Sequence, residues 1–298
     1  SFLDGPLFRF VLFRISSDEH LFLMVFNHLI FDGASIGLFN LALECAYVSG
    51  AFEGDSQYIY FDYIAWENHL KNTAIYSESL LYWKTRLEGF KELDFKSTLS
   101  PTKQAKNLYG KCFNFNANFS KPLTLAEKTF SSNQFILSFS AFVLLLYKYT
   151  SQLDIVIGLP VSGRLLPEFE KIIGNFVNTI PLRITLDKEL TLMEVVELCH
   201  SAIYEGINHQ LVPFNELVRE LSFKPGVSGN SVYSVMFAYQ NDKDQLLKLT
   251  DLEISFFERG YDSARLDFIF ELNIDSSDPA GCVYFNDKLF GKGFVEGF

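Results

Sequence analysis

The sequence contains few cysteines, and they do not form the patterns with which cysteine holds a metal. The four are Cys45, Cys112, Cys199 and Cys282. They are far apart, no C-x-x-C pair occurs, and none clusters with the five histidines at metal-ligand spacing. We therefore expect no metal site, and we expect reduced thiols of the kind found in cytosolic proteins.

Positive charge is also scarce. The 25 Lys and Arg residues are outnumbered by 36 Asp and Glu, which gives a formal net charge of -11. A surface this acidic argues against a general nucleic-acid binder, because such proteins need basic patches to neutralise phosphates.

Long hydrophobic runs are missing. The most apolar stretch, Phe135 to Tyr147, is too short to span a bilayer and contains Ser138 and Ser140, so it predicts a core helix. No basic-then-apolar signal peptide begins the chain, whose first residue is Ser1. We expect a cytoplasmic protein that binds neither a membrane nor nucleic acid.

Apolar and aromatic residues, by contrast, are plentiful. They make up 48% and 16% of the 298 residues, enough for a large core and for two lobes. Predicted strands and helices interleave along the chain, which is typical of an α/β protein with mixed sheets. The stretch from Gly89 to Ala105, which contains Pro101, is the best linker candidate, so we expect lobes at residues 1–89 and 90–298.

The first lobe contains a strand that runs directly into a helix. The apolar run Leu21 to Phe26 predicts a buried strand, and the stretch from Ala34 to Leu43 predicts a helix. A strand end meeting a helix start is where an α/β protein exposes polar groups on a rigid base.

Three residues at this junction could carry chemistry. His28 can gain or lose a proton near neutral pH, and Asp32 could hold the imidazole or brace the loop instead. Gly33 either takes a positive φ or leaves space for a substrate. An H-x-x-x-D-G pattern also occurs by chance in many chains, so the three residues alone do not establish an active site.

Further segments, in the same order along nearly the whole chain, resemble the condensation domains of nonribosomal peptide synthetases. They are Gly5-Pro6-Leu7-Phe8-Arg9, Asn27 to Gly33, Tyr63 to Trp66, Tyr82 to Lys84, Asp154 to Arg164, Ile173 to Thr179, His209 to Phe214, Met236 to Asn241 and Tyr284 to Asn286. The segment Asn27 to Gly33 corresponds to the family hallmark H-H-x-x-x-D-G.

Two features depart from the family pattern. Asn27 replaces the first hallmark histidine, whereas the functional second histidine is retained as His28. This change is compatible with activity, with altered specificity or with a degenerate domain. The strands and helix that precede the Gly5-Pro6 segment in the family are also missing, so either the chain is a fragment or its N-terminal lobe is incomplete.

The resemblance implies a fold of two lobes similar to chloramphenicol acetyltransferase, with mixed sheets, that form a V around a tunnel. It implies that a donor and an acceptor peptidyl carrier protein dock at the two mouths, beside neighbouring synthetase domains of secondary metabolite biosynthesis. The carriers would bring their substrates as phosphopantetheine thioesters, and the domain itself would bind no cofactor and no metal.

The resemblance also implies roles for single residues. His28 would take a proton from the attacking amine or orient that amine, and Asp32 would form a buried ion pair with Arg164. Gly33 would give room and a backbone N–H near the reacting atoms. Weaker candidates for polar groups along the tunnel are Asn27, Ser35 and Asn178.

Amide formation between two carrier-bound substrates is the function that this resemblance implies. Two alternatives stay open: an acyltransferase of the same superfamily that uses a CoA thioester or an alcohol acceptor, and a catalytically idle domain that recruits a partner protein. Asn27 is the only feature of the sequence that supports the idle domain.

Overall fold

The computed structural model describes residues 5–51, 54, 57–95, 110–116, 120–221, 232–240, 247–255, 266–273, 280–287, 289–290 and 292–298. The elements in chain order are β1 (Phe8–Arg14), β2 (His20–Phe26), α1 (Gly33–Ser49), α2 (Tyr60–Leu70), α3 (Ala74–Arg86), β3 (Gly110–Asn116), α4 (Ser120–Phe130), α5 (Gln134–Thr150), β4 (Asp154–Val161), a 3₁₀ turn (Pro167–Phe169), β5 (Asn178–Thr185), α6 (Leu192–Asn208), α7 (Phe214–Glu220), β6 (Val235–Gln240), β7 (Phe268–Asn273), β8 (Ala280–Asn286) and α8 (Lys292–Gly297). The predicted α/β class with mixed sheets is confirmed.

Two compact units divide the chain, and neither is continuous in sequence. The first combines Ser1–His69, Ser162–Val177 and Asp244–Ser255, and the remaining segments form the second. The single boundary between residues 89 and 90 stays a prediction.

The second unit is built on a six-stranded sheet in the order β3-β8-β7-β6-β4-β5. Strand β6 pairs in parallel with β4 and β7, whereas the other three pairings are antiparallel, so the sheet is mixed. Helix α5 packs on it through Phe139 and Phe142, whose rings lie 5.5 and 5.4 Å from that of Phe237 on β6. These rings are almost fully buried, which confirms the predicted core helix.

The first unit contains the hairpin formed by β1 and β2, an antiparallel pair with Phe8 opposite Phe26. The prediction of a strand ending at Phe26 is confirmed, but the prediction that this strand is buried is wrong. Leu21, Phe22 and Leu23 are each at least 40% exposed. In the described part of the chain the hairpin is a two-stranded sheet. It therefore has too few neighbours to bury both of its faces.

Two smaller predictions also need correction. The sequence predicts a strand from Leu252 to Glu258, of which 256–258 lie outside the described residues. Residues 252–255 form no strand and do not pair with the described strands. Cys45 and Cys199 are free thiols, but Cys282 is disulfide-bonded, so the expectation of four reduced cysteines is wrong for Cys282. Separation along the chain places no limit on separation in space.

Within the described ranges, no single helix combines the length and apolar composition that crossing a membrane requires. The pair Pro122–Phe130 and Gln134–Thr150 meets both criteria only when its members are taken together, across a bend of 98°.

Candidate functional site

Asp32 begins helix α1 and fixes its position. It is the N-cap residue, and its Oδ1 accepts a hydrogen bond of 2.9 Å from the Ser35 N–H. The first N–H groups of a helix have no partner within the helix, so an aspartate at this position satisfies one of them. The hallmark aspartate therefore sets where α1 starts and how the preceding turn enters it.

The same carboxylate forms a buried ion pair with Arg164. Arg164 Nη1 lies 2.7 Å from Asp32 Oδ2, and Nη2 lies 3.0 Å from Oδ1, so the pair is bidentate. The two side chains are 6% and 0% exposed. The guanidinium also lies over the ring of Phe176, 4.3 Å from its centroid. The pair expected for Asp32 and Arg164 is thus present, in a setting without solvent.

Ser35 and the segment 162–177 complete this network. Ser35 Oγ accepts hydrogen bonds from the Gly174 N–H and from Arg164 Nη2, both at 3.1 Å. The Ser35 hydroxyl has one proton to donate and two acceptors in range: Asp32 Oδ1, 2.7 Å from Oγ, and the Gly174 carbonyl oxygen, 2.9 Å from Oγ. Ser35 is fully buried, so its contacts support a structural role in this network rather than a place on the wall of a tunnel.

The protonation of Asp32 follows from these contacts. Burial alone would raise the pKa of its carboxyl, but hydrogen bonds from Arg164, from the Phe176 N–H at 3.0 Å and from Ser35 hold that pKa below its usual value. Both oxygens already accept from several donors. Asp32 is therefore held as a carboxylate at neutral pH with both oxygens occupied by donors, which does not suit it to be a general base.

His28 has the opposite environment. It is exposed and lies in the turn between β2 and α1. Asn27 precedes it, half-buried, and its Oδ1 accepts a hydrogen bond of 2.9 Å from the Leu29 N–H. Among the described residues, none gives the His28 ring a hydrogen-bonding partner. The described residues thus leave this imidazole exposed and without a hydrogen bond.

Gly33 is the first residue of α1 and is exposed. Its φ is not positive, and a Cβ built on it would have nothing within 4 Å. Of the two roles weighed for this glycine, the structure therefore supports open space rather than a special backbone conformation.

Asn178 belongs to the second unit, and its side chain is fully used there. Its Nδ2 donates to the carbonyls of Gln210 and Val212, both at 3.0 Å, and its Oδ1 accepts from the N–H groups of Thr179 and Phe214 at 2.8 and 2.9 Å. This amide ties the start of β5 to the approach to α7. The contacts give it a structural role and leave it no free group for a substrate.

The sequence did not reveal that Phe176 and Gly174 contribute backbone groups to the network around Asp32. The sequence signal for them was the motif Ile173 to Thr179, which matches the family pattern but in which only Asn178 has a predicted role. Among the described residues, no group of three or more His, Cys, Asp or Glu side chains is arranged to bind an ion.

Comparison with known proteins gives one family and a consistent fold. The condensation domain model matches residues 2–297. A linear gramicidin synthase of Brevibacillus parabrevis is 32% identical over 263 residues, which is 86% of this chain and 5% of that protein. The chain therefore spans a small fraction of the length of this relative.

Two solved structures have a similar fold. The X-domain from teicoplanin biosynthesis aligns with a TM-score of 0.86 and 23% identity, over 98% of this chain and 69% of that one. The first condensation domain of the CDA synthetase aligns with a TM-score of 0.76 and 18% identity, over 98% and 64%. The resemblance found in the sequence is confirmed: this chain belongs to the condensation domain family.

Proposed function

We propose that this domain forms an amide bond between two substrates held on peptidyl carrier proteins. The amine nitrogen of the acceptor attacks the thioester carbon of the donor, so that a C–N bond forms and the C–S bond breaks. The amine loses a proton, and the carrier thiol leaves and takes one. The lengthened chain remains on the acceptor carrier.

The exposed imidazole of His28 is the observation that carries this proposal. Within residues 27–35 only His28 and Asp32 can titrate, and Asp32 is buried and saturated with hydrogen bonds. His28 is therefore the group available to accept the amine proton or to hold the amine in line. General-base help is worth about 10²–10⁴-fold, and positioning of two reactants contributes several kcal/mol on its own account.

Gly33 offers a second group for the same reaction. Its N–H is one of the first donors of α1 and belongs to the positive end of the helix dipole. Such a donor stabilises the negative charge that develops on a thioester oxygen during attack. The open space around Gly33 leaves room for that oxygen to approach.

The implied partners are a donor carrier, an acceptor carrier and neighbouring synthetase domains. Each carrier supplies its own phosphopantetheine arm, which enters as part of the substrate. We place the reaction in the cytoplasm, as expected from the sequence.

A pair of histidine variants tests the proposal. Donor and acceptor carriers are loaded in vitro with a panel of aminoacyl phosphopantetheine thioesters, and amide product is followed by mass spectrometry. We expect His28→Ala to slow amide formation by about 10²-fold or more. His20→Ala is the matched control, because His20 is also exposed and lies one strand length away on β2. An undiminished rate for His28→Ala would contradict the proposal.

Two further experiments distinguish the proposed function from the two alternatives left open by the sequence. Acyl-CoA supplied without carriers would give product only if the domain is a CoA-dependent acyltransferase. Binding of a carrier with no turnover across the whole panel would indicate the idle, partner-recruiting domain instead.

A further inference from the structure

Asn27 is tied into the turn that presents His28 by three hydrogen bonds. Its N–H donates to the Leu7 carbonyl at 2.7 Å and so continues the hairpin ladder beyond Phe26. Its carbonyl accepts from the Ile30 N–H at 3.1 Å, and its side-chain Oδ1 accepts from the Leu29 N–H at 2.9 Å. The last two bonds close nested turns, and His28 occupies a central position in both.

The far end of the same turn is fixed by packing. The Phe31 ring, 9% exposed, stacks on that of Phe26 with centroids 3.9 Å apart and an interplanar angle of 7°. The next residue is Asp32, held by its ion pair with Arg164. The backbone of His28 is therefore fixed on both sides, while its ring stays exposed.

We propose that Asn27 is a positioning residue that holds His28 in place for amide formation. This inference rests on the proposed function of His28. The side-chain oxygen of asparagine has the reach needed to bond the backbone N–H two residues on, and aspartate shares that reach. Asn27 at the first hallmark position is then a working part of the turn, and it does not mark an idle domain.

Three variants at Asn27 and His28 test this proposal. Asn27→Leu keeps the branched shape of the side chain and removes the acceptor, and we expect kcat to fall by about 10- to 100-fold with KM little changed, since small misplacements of a reacting group cost this much. Asn27→Asp keeps the acceptor and should recover a large part of that loss. In the double variant Asn27→Leu/His28→Ala, we expect no loss beyond that of His28→Ala.

The double variant and the recovery in Asn27→Asp give readouts that a merely structural role would not move, because a loss of folded protein would persist in the His28→Ala background. Asn215→Leu is the matched control, because Asn215 is exposed and also makes a local side-chain bond to a backbone N–H, that of Glu216. It should leave the rate as in the parent.

The outcomes are distinguishable. If His28→Ala does not slow amide formation, the proposed function fails. If His28→Ala abolishes the reaction and Asn27→Leu matches the parent, the positioning role fails and the proposed function stands. An Asn27→Leu loss that persists undiminished in the His28→Ala background would also overturn the positioning role, because Asn27 would then act independently of His28.

Discussion

At the scale of single residues, His28 and Asp32 occupy the same short segment but meet opposite environments. The Asp32 carboxylate is buried and accepts hydrogen bonds from a guanidinium, two backbone N–H groups and a hydroxyl. The His28 ring is exposed and makes no hydrogen bond with the described residues. Burial and hydrogen bonding therefore support a structural role for Asp32, and exposure supports the catalytic role that we propose for His28.

Removing the charge of Asp32 should destabilise the protein strongly. In Asp32→Asn the shape is kept, but the Arg164 guanidinium, 6% exposed, loses its counter-charge. Leaving a buried charge uncompensated costs roughly 3–5 kcal/mol, and we expect that loss in the free energy of unfolding from urea titration at pH 7. Asp62→Asn is the control, because Asp62 is an exposed aspartate near the start of α2. Equal losses for the two variants would contradict this account.

The same carboxylate should make stability depend on acid. Its pKa in the folded protein lies below the usual 3.8, although burial by itself acts to raise it. The stabilisation is then fully present above the unfolded-state pKa and is lost as the pH falls through the lower, folded-state value. We expect the parent to lose more stability than Asp32→Asn below about pH 4. Parallel stability curves for the two proteins would show that Asp32 does not titrate in this way.

At the scale of elements, the segment 162–177 between β4 and β5 carries the partners of Asp32. It contains Arg164, and it brings in the backbone of Gly174 and Phe176. Gly163 lies at its start with a φ of 65°, and a Cβ there would collide with the Phe176 carbonyl. The close return of this segment on itself therefore depends on a glycine.

A graded series of glycine variants tests that requirement. Gly163→Ala adds both left-handed strain, about 1–2 kcal/mol, and a backbone collision that costs about 1–3 kcal/mol more. Gly89→Ala adds strain alone, because its φ is 66° and its surroundings are open. Gly33→Ala adds neither. We expect the free energy of unfolding to be lowest for Gly163→Ala, intermediate for Gly89→Ala and highest for Gly33→Ala. A Gly163→Ala protein as stable as Gly89→Ala would refute the close approach.

At the scale of the whole molecule, the sequence was sufficient to predict most helices and strands and the family. The ion pair between Asp32 and Arg164 could be predicted only through the family resemblance. The length and apolar composition of Phe135 to Tyr147 were enough to place α5, because a buried helix leaves a nearly continuous apolar run. Motif order along the chain identified the fold, since the separate segments agreed with one another.

Long-range organisation could not be predicted in the same way. The first unit takes residues from three separate stretches, and Asp32 meets Phe176 across 144 positions of the chain. Local patterns carry no information about such pairings. The exposure of the hairpin was missed for a related reason: an apolar strand pattern such as Leu21 to Phe26 shows what could be buried and does not show what is available to cover it.

The catalytic role of His28 is decided by the rate of amide formation in His28→Ala, measured on protein whose urea unfolding curve matches that of the parent. With loaded donor and acceptor carriers and His20→Ala as the reference, we expect product formation to fall by about 10²-fold or more while stability is unchanged. A His28→Ala protein that folds as the parent does and forms the amide at the parent rate would contradict that role.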